Sequence, residues 1–93
     1  MYAAICFDRP GSAALRDAHR AAHVEFLNAR AERIAYGGPL KDAADGPSTG
    51  ALIVLDCATR EEAAALIGED PFFRGGVYES VILRAFKQVF PRK

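Results

Sequence analysis

The sequence predicts the α+β class, a four-stranded antiparallel sheet with both helices on one face. Three observations predict it. Strand-like and helix-like segments follow one another in the order β-α-β-β-α-β. The whole pattern fits into 93 residues, at the small end of what buries a core unaided. The later strand segments are apolar on both faces, which suits a sheet covered by helices on one side and by something else on the other.

The elements follow in order. Residues 2 to 7, YAAICF, combine apolar, aromatic and β-branched side chains and are closed by the turn-forming Asp8-Arg9-Pro10-Gly11, so they read as the first strand. Ser12 offers a hydroxyl cap to AALRDAHRAAHVEFLNARAER, residues 13 to 33, whose alanines, leucines, arginines and glutamates form a long first helix. Ile34-Ala35-Tyr36 read as a brief second strand ended by Gly37-Gly38-Pro39, and the turn formers of KDAADGPSTG, residues 41 to 50, make a loop. ALIVLDC, residues 51 to 57, is a continuous apolar run of the buried-strand kind. Thr59 and Glu62 stand at capping-box spacing and open a second helix over about residues 60 to 67, stopped by Gly68. Asp70 then caps a short helical turn whose first residue is Pro71. After Gly75-Gly76, VYESVILRAF forms the last strand, and the tail KQVFPRK leaves the sheet at Pro91.

In a chain read as one domain over residues 1 to 93, this order is ferredoxin-like. The strand faces add a partner. Leu52 and Val54 point one way while Ala51, Ile53 and Leu55 point the other; in the last strand Val81, Leu83 and Ala85 alternate with Ile82 and Phe86, only Ser80 and Arg84 interrupting the second set. Two helices cover one face only, so the second apolar face predicts a homodimer with sheets packed face to face.

Composition removes several function classes. Twelve basic residues balance twelve acidic ones with no basic stripe, which argues against a nucleic-acid partner. Cys6 and Cys57 stand far apart without CxxC or Cys/His spacing, as unbridged thiols in a reducing compartment do. The opening MYAAICFDRPG lacks a positive n-region and breaks at Asp8 and Pro10, and no run reaches membrane-spanning length. The expectation is a cytoplasmic protein without a membrane partner.

The chemistry-bearing residues begin with the chain's two histidines, His19 and His23, four positions apart on the first helix. At about 100° per residue, Leu15, Ala18, Ala22, Phe26 and Ala29 share one arc, His19 sits beside it, and His23 lies farther out near its edge with Leu27. A histidine bordering an apolar stripe can serve as general acid or base, because its ordinary pKa lies near working pH. A boundary histidine with a single hydrogen bond fits the same spacing. A metal pair fits it too, but the glutamate of H-E-x-x-H and a third ligand are missing, so no metal is expected. A histidine base needs a carboxylate on one ring nitrogen. Asp70 is the candidate, since Gly68 and Pro71 fix its backbone, although a cap aspartate needs no further role. Gly38 and Pro39 at the end of the second strand, and Ser48 with Thr49 before the third, stand where ligands are commonly held, though turn geometry accounts for such residues equally well. Tyr78 brings a hydroxyl that could face a cleft or a dimer interface.

These residues sit in motifs that resemble the YciI-like (YCII-related) family: R-A-A-H at Arg20 to His23, G-G-P at Gly37 to Pro39, S-T-G-A-L-I-V at Ser48 to Val54, E-D-P-F at Glu69 to Phe72, G-G-V-Y-E at Gly75 to Glu79, and R-A-F-K-Q-V-F at Arg84 to Phe90. They span nearly the whole chain in order. The resemblance implies a ferredoxin-like fold that dimerises into an α/β barrel, with a site built on a histidine and an aspartate, which carry over to His23 and Asp70. His19 has no counterpart. Known members include a dehydrochlorinase acting on a chlorinated hydroxyquinol, and the fold is similar to that of muconolactone isomerases; one fold hosts many reactions.

The resulting expectation is a cofactor-free acid-base enzyme of the lyase or isomerase kind, acting on a small oxygenated molecule, aromatic or not. His23 would move the proton and Asp70 would orient it. Arg20 would pair with a substrate carboxylate or phenolate. Backbone N–H groups near Gly38 and the Ser48 hydroxyl would hold a developing oxyanion. The alternative is a non-catalytic dimeric module that binds a small molecule or a protein.

Overall fold

The computed structural model describes residues 1–91; residues 92 and 93, the end of the span read as one domain, lie outside the described residues. Four strands, β1 (Tyr2–Asp8), β2 (Ile34–Lys41), β3 (Ser48–Leu55) and β4 (Tyr78–Ala85), form one sheet in the order β2-β3-β1-β4. Every neighbouring pair is antiparallel. Helices α1 (Ala13–Ala29) and α2 (Arg60–Gly68) supply the two crossovers, and the short α3 (Pro71–Arg74) leads into β4. This is the ferredoxin-like α+β arrangement.

The core lies between the sheet and the helices. Register places Ala4 opposite Ile53 and Leu83, and Cys6 opposite Ala51 and Val81, so these side chains share one face. On that face Ala4, Cys6, Ile53 and Leu55 are buried together with Ala63, Leu66 and Ile67 of α2 and Phe72 of α3. Among these, Ile53, Leu55, Leu66, Ile67 and Phe72 each contribute about 1.5–3 kcal/mol when fully buried. On the opposite face Phe7, Tyr36 and Ile82 stay exposed around Ile5 and Leu52. Both faces are therefore apolar; the helices cover one, and on the other Ala3 and Val54 are buried while Phe7 and Ile82 remain exposed.

Gly50 has a packing reason. A Cβ there would run into the Cys6 carbonyl oxygen of β1, so any side chain would separate the two central strands.

Local signals were legible where they lie within one turn. Thr59 Oγ accepts from Glu62 N at 3.1 Å, and Asp70 Oδ1 accepts from Phe72 N at 2.9 Å with Pro71 at the first helical position. Glu62 does not complete the capping box; its carboxylate accepts from Arg33 instead. Three expectations are corrected. Ser12 makes no capping bond, because its φ of −88° and ψ of 9° are not the extended conformation from which a cap hydroxyl reaches the next amides. The first helix stops at Ala29 and tightens into a 3-10 turn, Ala31–Arg33, as the chain swings into β2. The second strand does not end at its glycines but runs to Lys41; Pro39 is tolerated because β2 is an edge strand and need not donate on both sides.

The largest correction concerns α1. Its alanine-rich arc is not the inward one: Leu15, Ala18, Ala22 and Ala29 are exposed, while Arg16 is buried and His19, His23, Phe26 and Leu27 are half-buried. Alanine has little surface to remove from water, so a stripe of alanines orients a helix weakly. Two pairs of polar side chains orient it instead, as the site shows.

Burial has a consequence for pH. Cys6 is fully buried, and burial first, then the nearby Asp70 carboxylate, push its thiol from 9.0 up to about 12. The unfolded thiol ionises near its ordinary value while the folded one keeps its proton. The stability this thiol contributes is therefore complete below about pH 9 and is lost as pH rises toward about 12. Tyr78 shifts upward for the same reason, burial. We expect the unfolding free energy from urea titrations to be flat from neutral pH to about 9 and then to fall by roughly 1 kcal/mol per pH unit for each such group. A Cys6 that reacts with a thiol reagent at pH 8 as fast as a free thiol would contradict this.

Candidate active site

α1 stands off the sheet over β2 and β3, and a cavity of about 420 Å³ opens beneath it. From α1 it is lined by Arg20 and His23, and from the strands by Gly38, Pro39, Ser48 and Ile53. Five of the seven residues singled out from the sequence thus face one cavity. The remaining two lie behind it: Asp70, fully buried, contacts His23, and Tyr78, also buried, contacts Asp70. Tyr78 therefore faces neither the cavity nor the uncovered sheet face.

The central contact is between His23 Nδ1 and Asp70 Oδ1, at 2.7 Å, across 47 positions of chain. Three features hold it. As cap of α3, Asp70 is fixed by the bond from Phe72 N to the same Oδ1. Tyr78 Oη approaches the other carboxylate oxygen at 3.5 Å. The Phe72 ring stacks on the imidazole with centroids 3.9 Å apart and planes 7° from parallel. A carboxylate only accepts, so the proton of a neutral imidazole sits on Nδ1 and the lone pair on Nε2. Nε2 has no hydrogen-bond partner among the described residues, and the side chain keeps 13 % of its surface open.

Two contributors escaped the sequence reading. In the sequence Phe72 stands in a helical turn and in the E-D-P-F motif with no site role, yet its ring stacks on His23 and meets the Arg16 guanidinium at 4.8 Å. Arg16 reads in the sequence as one more helix former. It is 8 % exposed and pairs with Asp8 through Nε–Oδ2 at 2.6 Å and Nη2–Oδ1 at 3.2 Å, with Nη2 also donating to the Gly50 carbonyl at 3.1 Å. The seven-residue spacing of Arg16 and His23 puts both on one helix face, which was the available signal.

The other candidates take lesser places. Arg20 is exposed and holds Asp17 at 2.8 Å on the surface. Thr49 closes the β2–β3 hairpin by donating to the Leu40 carbonyl. His19 does not line this cavity; a Cβ on Gly75 would come within 2.5 Å of its Nε2, so it packs against the α3 corner. Among the described residues no three His, Cys, Asp or Glu side chains are grouped to hold a metal ion.

The strand order and the two crossover helices place the chain in the ferredoxin-like α+β class. Within it, the family model for the YCII-related domain matches residues 1–87, and the chain belongs to that family and so to the dimeric α/β barrel superfamily. Among solved structures, the 5-chloro-2-hydroxyhydroquinone dehydrochlorinase TftG of Burkholderia phenoliruptrix AC1100, in complex with 2,5-dihydroxybenzoquinone, is similar at a TM-score of 0.84 and 28% identity, over 92% of each chain. No curated protein matches the chain. Among the described residues no helix is long and apolar enough to cross a membrane.

Proposed function

We propose that this chain is a cytoplasmic, homodimeric acid-base enzyme of the lyase or isomerase kind that acts without a cofactor on a small oxygenated aromatic ring. The observation that carries this reading is the 2.7 Å contact of His23 Nδ1 with a fully buried carboxylate, in the wall of a cavity sized for a small ring. The similar dehydrochlorinase acts on such a ring.

His23 Nε2 takes the proton of a ring hydroxyl, and Asp70 stabilises the resulting imidazolium and keeps the imidazole oriented. The O–H electron pair moves into the ring, and the imidazolium returns the proton to a ring carbon. That tautomerisation is an isomerase step by itself. Where the carbon carries a halide, a second hydroxyl proton and the halide then leave as HX and the ring ends as a quinone; no electrons are exchanged with another reagent. Arg20 and the Ser48 hydroxyl hold the oxyanion while it is charged, with the Gly38 and Pro39 backbone as one wall.

The test uses 2,5-dihydroxybenzoquinone as probe, followed by NMR of the two histidine rings. Binding should shift the ring signals of His23 and leave those of His19 nearly still. A probe that binds without moving His23, or that does not bind at millimolar concentration, overturns the proposal.

A further inference from the structure

A second cavity, of about 580 Å³, adjoins the first at the start of α1, and the two share Arg16, Arg20 and Ser48 in their walls. Its charge is unbalanced in a chain that is neutral overall: the charged side chains around it are Arg9, Arg16, Arg20 and Lys41 against Asp8 and Asp17. Three of those cations are on the exposed rim, but Arg16 is more than nine-tenths buried.

Arg16 has donors to spare. Its Nε and Nη2 are engaged by Asp8 and the Gly50 carbonyl, whereas Nη1 has no partner among the described residues. No side-chain nitrogen or oxygen that is fully shut away from solvent lacks a partner among them, so Nη1 is reached through the cavities that Arg16 lines. Ser12, 6 % exposed, lines the outer cavity with a hydroxyl that makes no capping bond. A buried guanidinium with an unspent edge, flanked by two rim cations, matches a planar anion such as a carboxylate.

Taking the ring-binding reading of the inner cavity as given, we infer that the outer cavity is a carboxylate subsite and that the ligand is an oxygenated aromatic acid. The ring lies beside His23 and the acid arm reaches Arg16, Arg20 and Lys41. Placing the charge in the outer cavity orients the ring, so the subsite selects among hydroxylated rings by their acid arm.

Isothermal titration of the wild-type protein with 2,5-dihydroxyphenylacetate and with its methyl ester tests this, because the two share a ring and differ in one charge. The acid should bind about tenfold more tightly than the ester. Arg16→Gln breaks the Asp8 pair and endangers the fold, so the variant of choice is Arg20→Gln/Lys41→Gln on the rim, which should cut the acid's advantage at least about threefold. Equal affinities for acid and ester, with both moving the His23 signals, overturn the subsite and leave the proposed function standing. A preference for the acid without movement of His23 keeps the subsite and removes the histidine's role. Failure of both compounds to bind overturns the inference, as does an acid preference untouched by the rim variant.

Discussion

Replacing His23 by alanine is expected to lower kcat/KM about a thousandfold, roughly 4 kcal/mol of barrier, because the proposed proton acceptor is then gone from the cavity wall. The informative partner variant is Asp70→Asn. Asp70 Oδ1 accepts from both Phe72 N and His23 Nδ1, and an asparagine oxygen in its place keeps both bonds while removing the charge that stabilises the imidazolium. It should stay folded yet lose about a hundredfold or more in turnover. Asp70→Ala is a poorer experiment: it leaves the Phe72 N, His23 Nδ1 and Tyr78 Oη donors unpaired, at about 1–3 kcal/mol for each buried one, so lost activity would report lost structure. Two assays suit the pair, halide release from 5-chloro-2-hydroxyhydroquinone and exchange of ring C–H for deuterium on the unchlorinated triol in D2O. The second needs no leaving group and reads the tautomerisation alone. Folded variants that retain full turnover in whichever assay the wild type supports would dispose of the mechanism.

Placing a charge on the uncovered sheet face should separate the proposed dimer. Ile82 is 37 % exposed and stands opposite Ile5, which in turn stands opposite Leu52, so a line of apolar side chains crosses three strands on the face that no helix covers. If a second copy packs there, Ile82→Glu buries an unpaired carboxylate from each protomer. The expected weakening is about 4 kcal/mol or more, at least roughly a thousandfold in dissociation constant. Sedimentation should show a wild-type dimer at micromolar concentration and a folded monomer for the variant, with the helical circular dichroism unchanged. A wild-type protein that sediments as a monomer at high micromolar concentration removes the homodimer from the proposal.

Both predictions draw on residues the sequence had already marked, and the success and failure of that reading divide along a physical line. The order of elements follows from hydrophobic periods of two and near 3.6, and the caps at Thr59 and Asp70 follow from hydrogen bonds spanning two or three residues. The two apolar sheet faces follow from alternation along β3 and β4. Each depends on neighbours in the chain, so each can be read there. Only its helical spacing to His23 marks Arg16, nothing local marks the ring stack of Phe72, and the arc of alanines on α1 meets the inward face only at Phe26, since small side chains contribute too little burial energy to outweigh two polar anchors.

From residues alone came the βαββαβ order, the second apolar face, two candidate histidines and Asp70 as their candidate carboxylate; the choice of His23 over His19 came from the family resemblance. Their meeting, the ring stack beside them, the buried Arg16–Asp8 pair and the two joined cavities arise from packing. They depend on which face α1 turns toward the sheet, and that rotation is set by contacts 8 and 47 positions apart in the chain, Arg16 to Asp8 and His23 to Asp70, whose strength comes from being buried together. Local propensity carries no information about such contacts, because their energy exists only once the sheet has removed both partners from water.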